Sequence, residues 1–170
     1  MKTATRLGLA TLAALATLGL SIPQSHSQAK DDVGILRLLT CQDSWMDWKD
    51  DPFMRQKFAE ELKANFKQNE RDGSFVPIKP MSIMGHPVLQ LFPQSVGMGL
   101  GYSVIVNASF AATKVRLEKQ MGKPFDRCEA ASEGKSCERE LAKRKTVTVT
   151  EVSRGKDPKT LFGCYYFYEK

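Results

Sequence analysis

Four cysteines constrain the fold of this chain more than any other feature of its sequence. They are Cys41, Cys128, Cys137 and Cys164. An even number of cysteines in an exported chain indicates disulfide bonds, and four cysteines can pair in three ways. We favour Cys41–Cys164, which would join the start of the domain to its last strand, and Cys128–Cys137, which would close a local loop.

The N-terminal residues 1–27 have the pattern of a secretory signal peptide. Two basic residues precede an uncharged run rich in Leu and Ala at 7–20, and serines stand three and one before position 28. The alternative, a retained membrane anchor, would need about 20 consecutive apolar residues. We therefore expect cleavage after Ser27, a single exported domain over 28–170 without a membrane span, and a periplasmic or secreted location.

The composition after the signal argues against two classes of function. Residues 28–170 carry 23 Lys and Arg against 19 Asp and Glu, and the two signs are interleaved. This mixture differs from the basic stripe of a nucleic-acid-binding domain. His86 is the only histidine in this range, and no two cysteines have the C-x-x-C spacing, so zinc is a poor alternative to two disulfides. We expect no metal and no cofactor.

One amphipathic helix is predicted in the first half of the domain. Asp51 is a good N-cap, and Pro52 suits the first helical position. Asp72-Gly73 is predicted to end the helix, because glycine readily adopts the left-handed conformation found there. Apolar residues recur every four positions between these ends and form the stripe that the helix would bury: Met54, Phe58, Leu62 and Phe66.

Three strands are predicted from alternating patterns. The longest covers 98–112, where every second residue is apolar and the opposite face is almost entirely small. Its glycines predict a bend or the close approach of another backbone. Shorter strands are predicted at 146–152 and 161–168.

The remaining segments complete a prediction of the fold class. The charged stretch 114–145 predicts a solvated hairpin closed by Cys128–Cys137, and 74–93 holds four prolines. Proline cannot donate to a strand ladder, so we expect loop there, with a short edge strand at 88–92. The order predicts an α+β fold, with one main helix packed on an antiparallel meander sheet of three to five strands and two disulfides.

Aromatic residues at the two ends of the domain are candidates for a binding surface. Aromatic side chains are enriched where one protein contacts another. If Cys41 bonds to Cys164, both tryptophans come close to the last strand. The alternative is that these aromatics fill the core or cover the strand glycines. The candidate binding residues are Trp45, Trp48, Phe162, Tyr166 and Tyr168.

A catalytic site is supported only by His86. Histidine is the usual general acid or base, and this one follows a glycine and precedes a proline in a predicted loop. No partner serine or cysteine is identified by a motif. Acidic residues cluster before the helix and could supply a carboxylate, but charges that favour a helix start are the better explanation for the cluster. They are Asp43, Asp47, Asp50 and Asp51.

These observations favour a non-enzymatic binding module whose partner is another extracytoplasmic protein. An inhibitor, an immunity-type protein or an accessory subunit of an envelope complex would fit. Two alternatives stay open. One is a small exported hydrolase that uses His86 with a nearby carboxylate. The other is a small-ligand carrier, which would need an enclosed apolar cavity between helix and sheet.

Overall fold

The computed structural model describes residues 33–43, 52–96, 99–131 and 134–167. These residues form one antiparallel sheet of nine strands and three helices. The helices are α1 (Val33–Leu39), α2 (Pro52–Asn65) and α3 (Phe110–Met121). The strands are β1 (Phe66–Gln68), β2 (Phe75–Pro77), β3 (Ser82–Ile83), β4 (His86–Val96), β5 (Gly99–Asn107), β6 (Arg127–Ala131), β7 (Gly134–Ala142), β8 (Lys145–Ser153) and β9 (Lys159–Phe167).

The strand order places the last strand in the middle of the sheet. The order is β1-β2-β4-β5-β9-β8-β7-β6, and the two-residue β3 pairs with the start of β4. Strands β6 to β9 form a meander whose final strand returns to β5. The β5–β9 ladder runs without interruption from the pair Gly99↔Phe167 to the pair Asn107↔Lys159.

The predicted α+β arrangement of one main helix on three to five strands is wrong. The structure is mostly β, with three short helices and nine strands in the described residues. One cause lies at Ser109, two residues after β5 ends at Asn107 and inside the predicted strand 98–112. The Ser109 hydroxyl accepts a hydrogen bond from the Ala112 N–H at 3.3 Å and caps α3. The residues after Ser109 therefore continue the alternating pattern in sequence but belong to a helix.

The end of the predicted main helix is also wrong. Helix α2 ends at Asn65, and Phe66 starts β1 with its side chain buried in the core. Asp72-Gly73 lies in the β1–β2 turn, where the Asp72 carboxylate accepts the Ser74 N–H at 2.9 Å. Asp-Gly suits a hairpin turn as well as a helix end. Here it forms the turn, and the helix has already ended seven residues earlier at Asn65.

The proline-rich segment 74–93 contains an interior strand in place of the predicted loop and edge strand. Strand β4 has 11 residues and includes Pro87 and Pro93. It pairs with β5 along most of its length, and its other partners are few: the Phe75↔Leu91 pair with β2 and two pairs with the short β3, at His86 and Pro87. A strand with so few partners on one side can include residues that lack an N–H.

The second half of the sheet agrees with the sequence. The strands predicted at 146–152 and 161–168 are β8 and β9. The disulfide-closed hairpin predicted over 114–145 is β6–β7 from Arg127 onward, but residues 114–121 of that stretch belong to α3. The alternation of β8 is confirmed by burial over 146–150, since Val147 and Val149 are buried and the threonines between and beside them are half-buried, whereas Val152 near the end of the strand is exposed.

The core lies between one face of the sheet and the helices. Helix α1 packs on β5 and β9, α3 packs on β8 and β9, and the ring of Phe58 in α2 meets the ring of Tyr102 in β5 edge-on at 5.3 Å. No helix in the described ranges has the length and apolar character that crossing a membrane requires. The central side chains of this face are fully buried: Val104, Val106, Val147, Val149 and Phe162.

The four cysteines pair as predicted from the sequence. Cys41–Cys164 joins the residues after α1 to the centre of β9, and Cys128–Cys137 crosses the β6–β7 hairpin between directly opposed residues. Two disulfides suggest an oxidising, extracytoplasmic environment.

The two disulfides should differ in their contribution to stability. Cys41 and Cys164 are 123 residues apart, whereas Cys128 and Cys137 are nine apart. In the chain-entropy model, these loops correspond to about 5 and about 3 kcal/mol. We expect the Cys41→Ala/Cys164→Ala variant to lose more free energy of unfolding than Cys128→Ala/Cys137→Ala, as measured by urea denaturation. Equal losses would contradict this ranking.

Phe58 tests the contact between α2 and the sheet. The residue is buried against Tyr102, so Phe58→Ala should lower the free energy of unfolding by about 3–5 kcal/mol. Ala59→Ser on the exposed side of the same helix is the control and should change it by less than about 0.5 kcal/mol. An unchanged melting temperature for Phe58→Ala would remove α2 from the core.

Candidate functional site

The face of the sheet that points away from the helices is the candidate functional site, and we call it the open face. Residues of β5, β9 and β8 that alternate with the core residues point to this side, and no described helix packs on it. Strand β4 adds side chains at one margin. The open face consists of Phe92, Gln94, Gly101, Ser103, Ile105, Leu161, Gly163, Tyr165, Thr146, Thr148 and Thr150.

The strand register arranges these residues in rows across the sheet. One row contains Ile105, Leu161 and Thr150, which are direct neighbours on β5, β9 and β8. The next row has Ser103 and Gly163 at its centre. Apolar and hydroxyl side chains from three strands therefore lie side by side on this face, and most of its residues are half-buried.

Two glycines let β5 and β9 approach closely at the centre of the open face. A Cβ atom at Gly101 would overlap the carbonyl oxygen of Cys164, and one at Gly163 would overlap that of Tyr102. Backbone atoms cannot move aside as a flexible side chain can. The strand glycines predicted either a bend or the close approach of another backbone. At Gly101, the close approach of β9 is observed.

The side chain of Tyr165 packs against Gly101. Its ring lies 3.0 Å from the position of a Cβ atom on Gly101, and its hydroxyl donates a hydrogen bond to Gln94 Oε1 across β5. Burial raises the pKa of Tyr165, so the hydroxyl remains protonated and keeps its role as a donor. Nearby, Gln90 Nε2 donates to Ser74 Oγ at 3.1 Å. These two hydrogen bonds hold the side chains of Tyr165, Gln94 and Gln90 in place.

Charged residues occupy the margins of the open face. Arg127 and Glu138 form an ion pair at 3.0 Å on β6 and β7, and Lys159 lies at the start of β9. The rows at the centre of the face carry only neutral side chains. The open face thus has an uncharged centre and a charged margin.

His86 is buried against α3 instead of lying in an exposed loop. It follows a tight turn in which Met84 and Gly85 both have positive φ, and Arg116 of α3 donates to the Met84 carbonyl oxygen. The residue is 6% exposed, and its Nε2 has no hydrogen-bond partner among the described residues. Burial, with a contribution from the Arg116 charge, lowers the pKa of His86.

The described carboxylate of the predicted catalytic cluster is far from His86. The Asp43 backbone carbonyl accepts a hydrogen bond from Tyr166, which pairs with Leu100 at one end of β5. His86 lies two residues before Val88, which pairs with Val106 at the other end of β5. Six residues of strand separate these positions, or about 20 Å. The other members of the cluster lie outside the described residues: Asp47, Asp50 and Asp51.

The predicted aromatic surface falls partly on the core side of the sheet. Phe162 is 0% exposed and Tyr166 is 3% exposed. The Tyr166 hydroxyl donates to the backbone carbonyls of Leu38 and Asp43, so it fastens the end of α1 to β9. Trp45, Trp48 and Tyr168 lie outside the described residues. The binding role of these five residues stays a prediction.

The residues of the open face were missed by the sequence analysis. The available signal was the alternation of threonine and valine in β8 and the position of Tyr165 between two core residues of β9. Which of these side chains become neighbours depends on the register of β5, β9 and β8. No local pattern specifies that register.

Two clefts lined by described residues lie at the edges of the protein. One of about 720 Å³ surrounds the β1–β2 hairpin, and one of about 310 Å³ lies at the end of the β4–β5 hairpin. Both are open to solvent and differ from the enclosed cavity that a ligand carrier would need. Within the part of the chain that the structure describes, no group of three His, Cys, Asp or Glu residues could hold a metal ion.

His86 should make stability depend on pH. Its pKa is lower in the folded protein than in the unfolded chain, so the unfolded state binds more protons as the pH falls below about 6.5. Its stabilising contribution is therefore complete above that pH and is lost as the pH falls through the folded-state pKa. Between about pH 7.5 and 5.5, we expect urea denaturation to show a steeper loss of stability for the wild type than for His86→Gln. Parallel pH profiles would contradict the burial of a neutral imidazole.

Comparison with known proteins does not assign the open face a role. No family model, no curated protein and no solved structure matches this chain. The function is therefore argued from the chemistry and geometry of the described residues.

Proposed function

We propose that this domain is an extracytoplasmic, non-enzymatic binding module that contacts a protein partner through the open face of its sheet. The observation that carries the proposal is the distribution of charge on that face. Neutral apolar, aromatic and hydroxyl side chains occupy the centre, and ion-paired or single charges occupy the margins. Protein interfaces have this arrangement, with few charges in the core and a polar rim.

The apolar content of the open face supports the same proposal. In an antiparallel sheet, the face away from the core usually alternates to polar residues. Here Phe92, Ile105 and Leu161 are half-buried on that face, and Phe167 at its end is 40% exposed. Burying these side chains under a partner would release water from apolar surface, at about 25 cal/mol for each Å².

The rigidity of the open face would also favour binding. The glycine contacts between β5 and β9, the Tyr165–Gln94 hydrogen bond and the Cys41–Cys164 bridge all fix its central strands. A surface that is ordered before binding loses less conformational entropy when the partner docks. A rigid sheet surface suits an inhibitor, an immunity-type protein or an accessory subunit of an envelope complex.

The proposed location is the periplasm or the extracellular space. Export through a signal peptide cleaved after Ser27 would bring the four cysteines into the oxidising compartment that disulfides require. The hydrolase and carrier alternatives receive less support. His86 is buried far from Asp43, and the two clefts are open to solvent.

The proposal is tested by placing charge at the centre of the open face. Leu161 and Thr150 are neighbours across β9 and β8, so Leu161→Lys/Thr150→Lys would introduce two unpaired cations into the interface. A desolvated unpaired charge should weaken binding at least tenfold. The measurement is a quantitative cross-linked pull-down of the tagged exported protein from its native compartment, followed by titration of the recovered partner.

Ala59→Lys/Ala64→Lys is the matched control, because it adds the same charge on the exposed side of α2. Both variants should keep the wild-type melting temperature and disulfides. The proposal requires the partner to be lost with the first variant and retained with the second. Retention with both would show that the open face is not the binding surface.

A further inference from the structure

The solvent side of helix α3 carries mainly positive charge. Between Ser74 and Phe125, the sequence contains five basic residues and a single acidic residue, Glu118. Glu118 accepts a hydrogen bond from the Lys114 Nζ at 2.6 Å and another from the Phe125 N–H at 2.9 Å. The single negative charge of this helix is therefore compensated by a neighbour on the same helix.

The geometry of α3 determines which side chains face solvent. Thr113 and Leu117 are buried against the sheet. Side chains about half a turn away, Val115 and Lys119, therefore point away from the protein. Val115 is 63% exposed, which is the largest exposure of any large apolar residue described. We call the group of Val115, Arg116 and Lys119, together with the exposed Lys123 just after the C-cap Gly122, the α3 outer face.

Lys119 and Lys123 form no ion pair with any described residue. Arg116 donates to the Met84 carbonyl oxygen, and this contact also ties α3 to the β3–β4 turn. The outer face is thus rigidly attached to the sheet while most of its positive charge remains available.

Helix α2 shows that this arrangement is not general in the protein. The exposed side of α2 has Lys57 and Lys63 with Glu60 between them, so its charges are mixed in sign. Glu60 also accepts a hydrogen bond from Gln56. A mixed surface is typical of a helix that only contacts water, and α3 lacks the acidic half of that pattern.

We propose that the α3 outer face docks on the surface of an anionic phospholipid bilayer. Its three cations match the negative headgroups, and each basic residue near such a surface favours binding by about 1 kcal/mol. The exposed Val115 beside Lys119 points to a boundary that is apolar beneath the charge. A hydrated soluble polyanion would match the cations but would leave Val115 without an apolar contact.

This proposal goes beyond the protein-binding function and is independent of it. The α3 outer face belongs to the helix layer, whereas the open face is the other side of the sheet. A variant in one surface should therefore leave the other intact.

The test is co-sedimentation of the exported protein with phospholipid vesicles. One set contains phosphatidylcholine with about 30% phosphatidylglycerol, and the other contains phosphatidylcholine alone. We expect binding only to the anionic vesicles at low salt and its loss at about 0.3 M salt, because salt screens exposed charges. Lys119→Glu/Lys123→Glu should weaken binding by about tenfold or more. Val115→Ser should weaken it by about threefold without changing the salt dependence.

Lys57→Glu/Lys63→Glu makes the same change of net charge on α2 and should bind like the wild type. An equal loss with this control would mean that total charge, and not the α3 outer face, causes the attraction. Binding to dextran sulfate without binding to anionic vesicles would overturn the bilayer as the partner. All variants must keep the wild-type melting temperature. Binding of the Leu161→Lys/Thr150→Lys variant to anionic vesicles would confirm that the open face and the α3 outer face act separately.

Discussion

The pairing of β5 with β9 is the contact on which the rest of the structure depends. It is the only ladder in the described sheet that joins the strands before α3 to the meander after it. The two backbones approach so closely that Gly101 and Gly163 leave no room for a Cβ atom. Nine consecutive pairs form along this junction, and the core and the open face are its two sides.

Helix α1 is fastened to the same junction from the core side. The Cys41–Cys164 bond and the hydrogen bonds of the Tyr166 hydroxyl both connect the end of α1 to β9. A helix of seven residues is too short to be stable alone, so these tertiary contacts maintain it. Tyr166, one of the five aromatic residues predicted for binding, thus has a structural role.

The parts of the fold that sequence could predict are those encoded by local patterns. Alternation predicted β8 and β9, and cysteine spacing predicted both disulfides. The Cys41–Cys164 bond even indicates which side of β9 is buried, because Phe162 and Tyr166 share the parity of Cys164.

Local patterns predicted the wrong element where a single residue decides between a strand and a helix. The alternating residues near Phe110 fit a strand or a helix, and the Ser109 hydroxyl selects the helix by capping it. Pro93 is tolerated in β4 because neither β2 nor β3 pairs with the strand at that position. The open face was beyond prediction for a related reason, since its rows exist only once β4, β5, β9 and β8 are aligned.

The central position of β9 has a consequence for the order in which the protein can be completed. A chain that crosses a membrane from its N-terminus delivers β1 to β5 first and the meander later. The two halves of the sheet stay apart, and Cys41 stays without its partner, until residues 159–167 have emerged. Until then, the edge of β5 that pairs with β9 lacks its partner strand. Pairing of that edge is therefore one of the last steps that can complete the sheet.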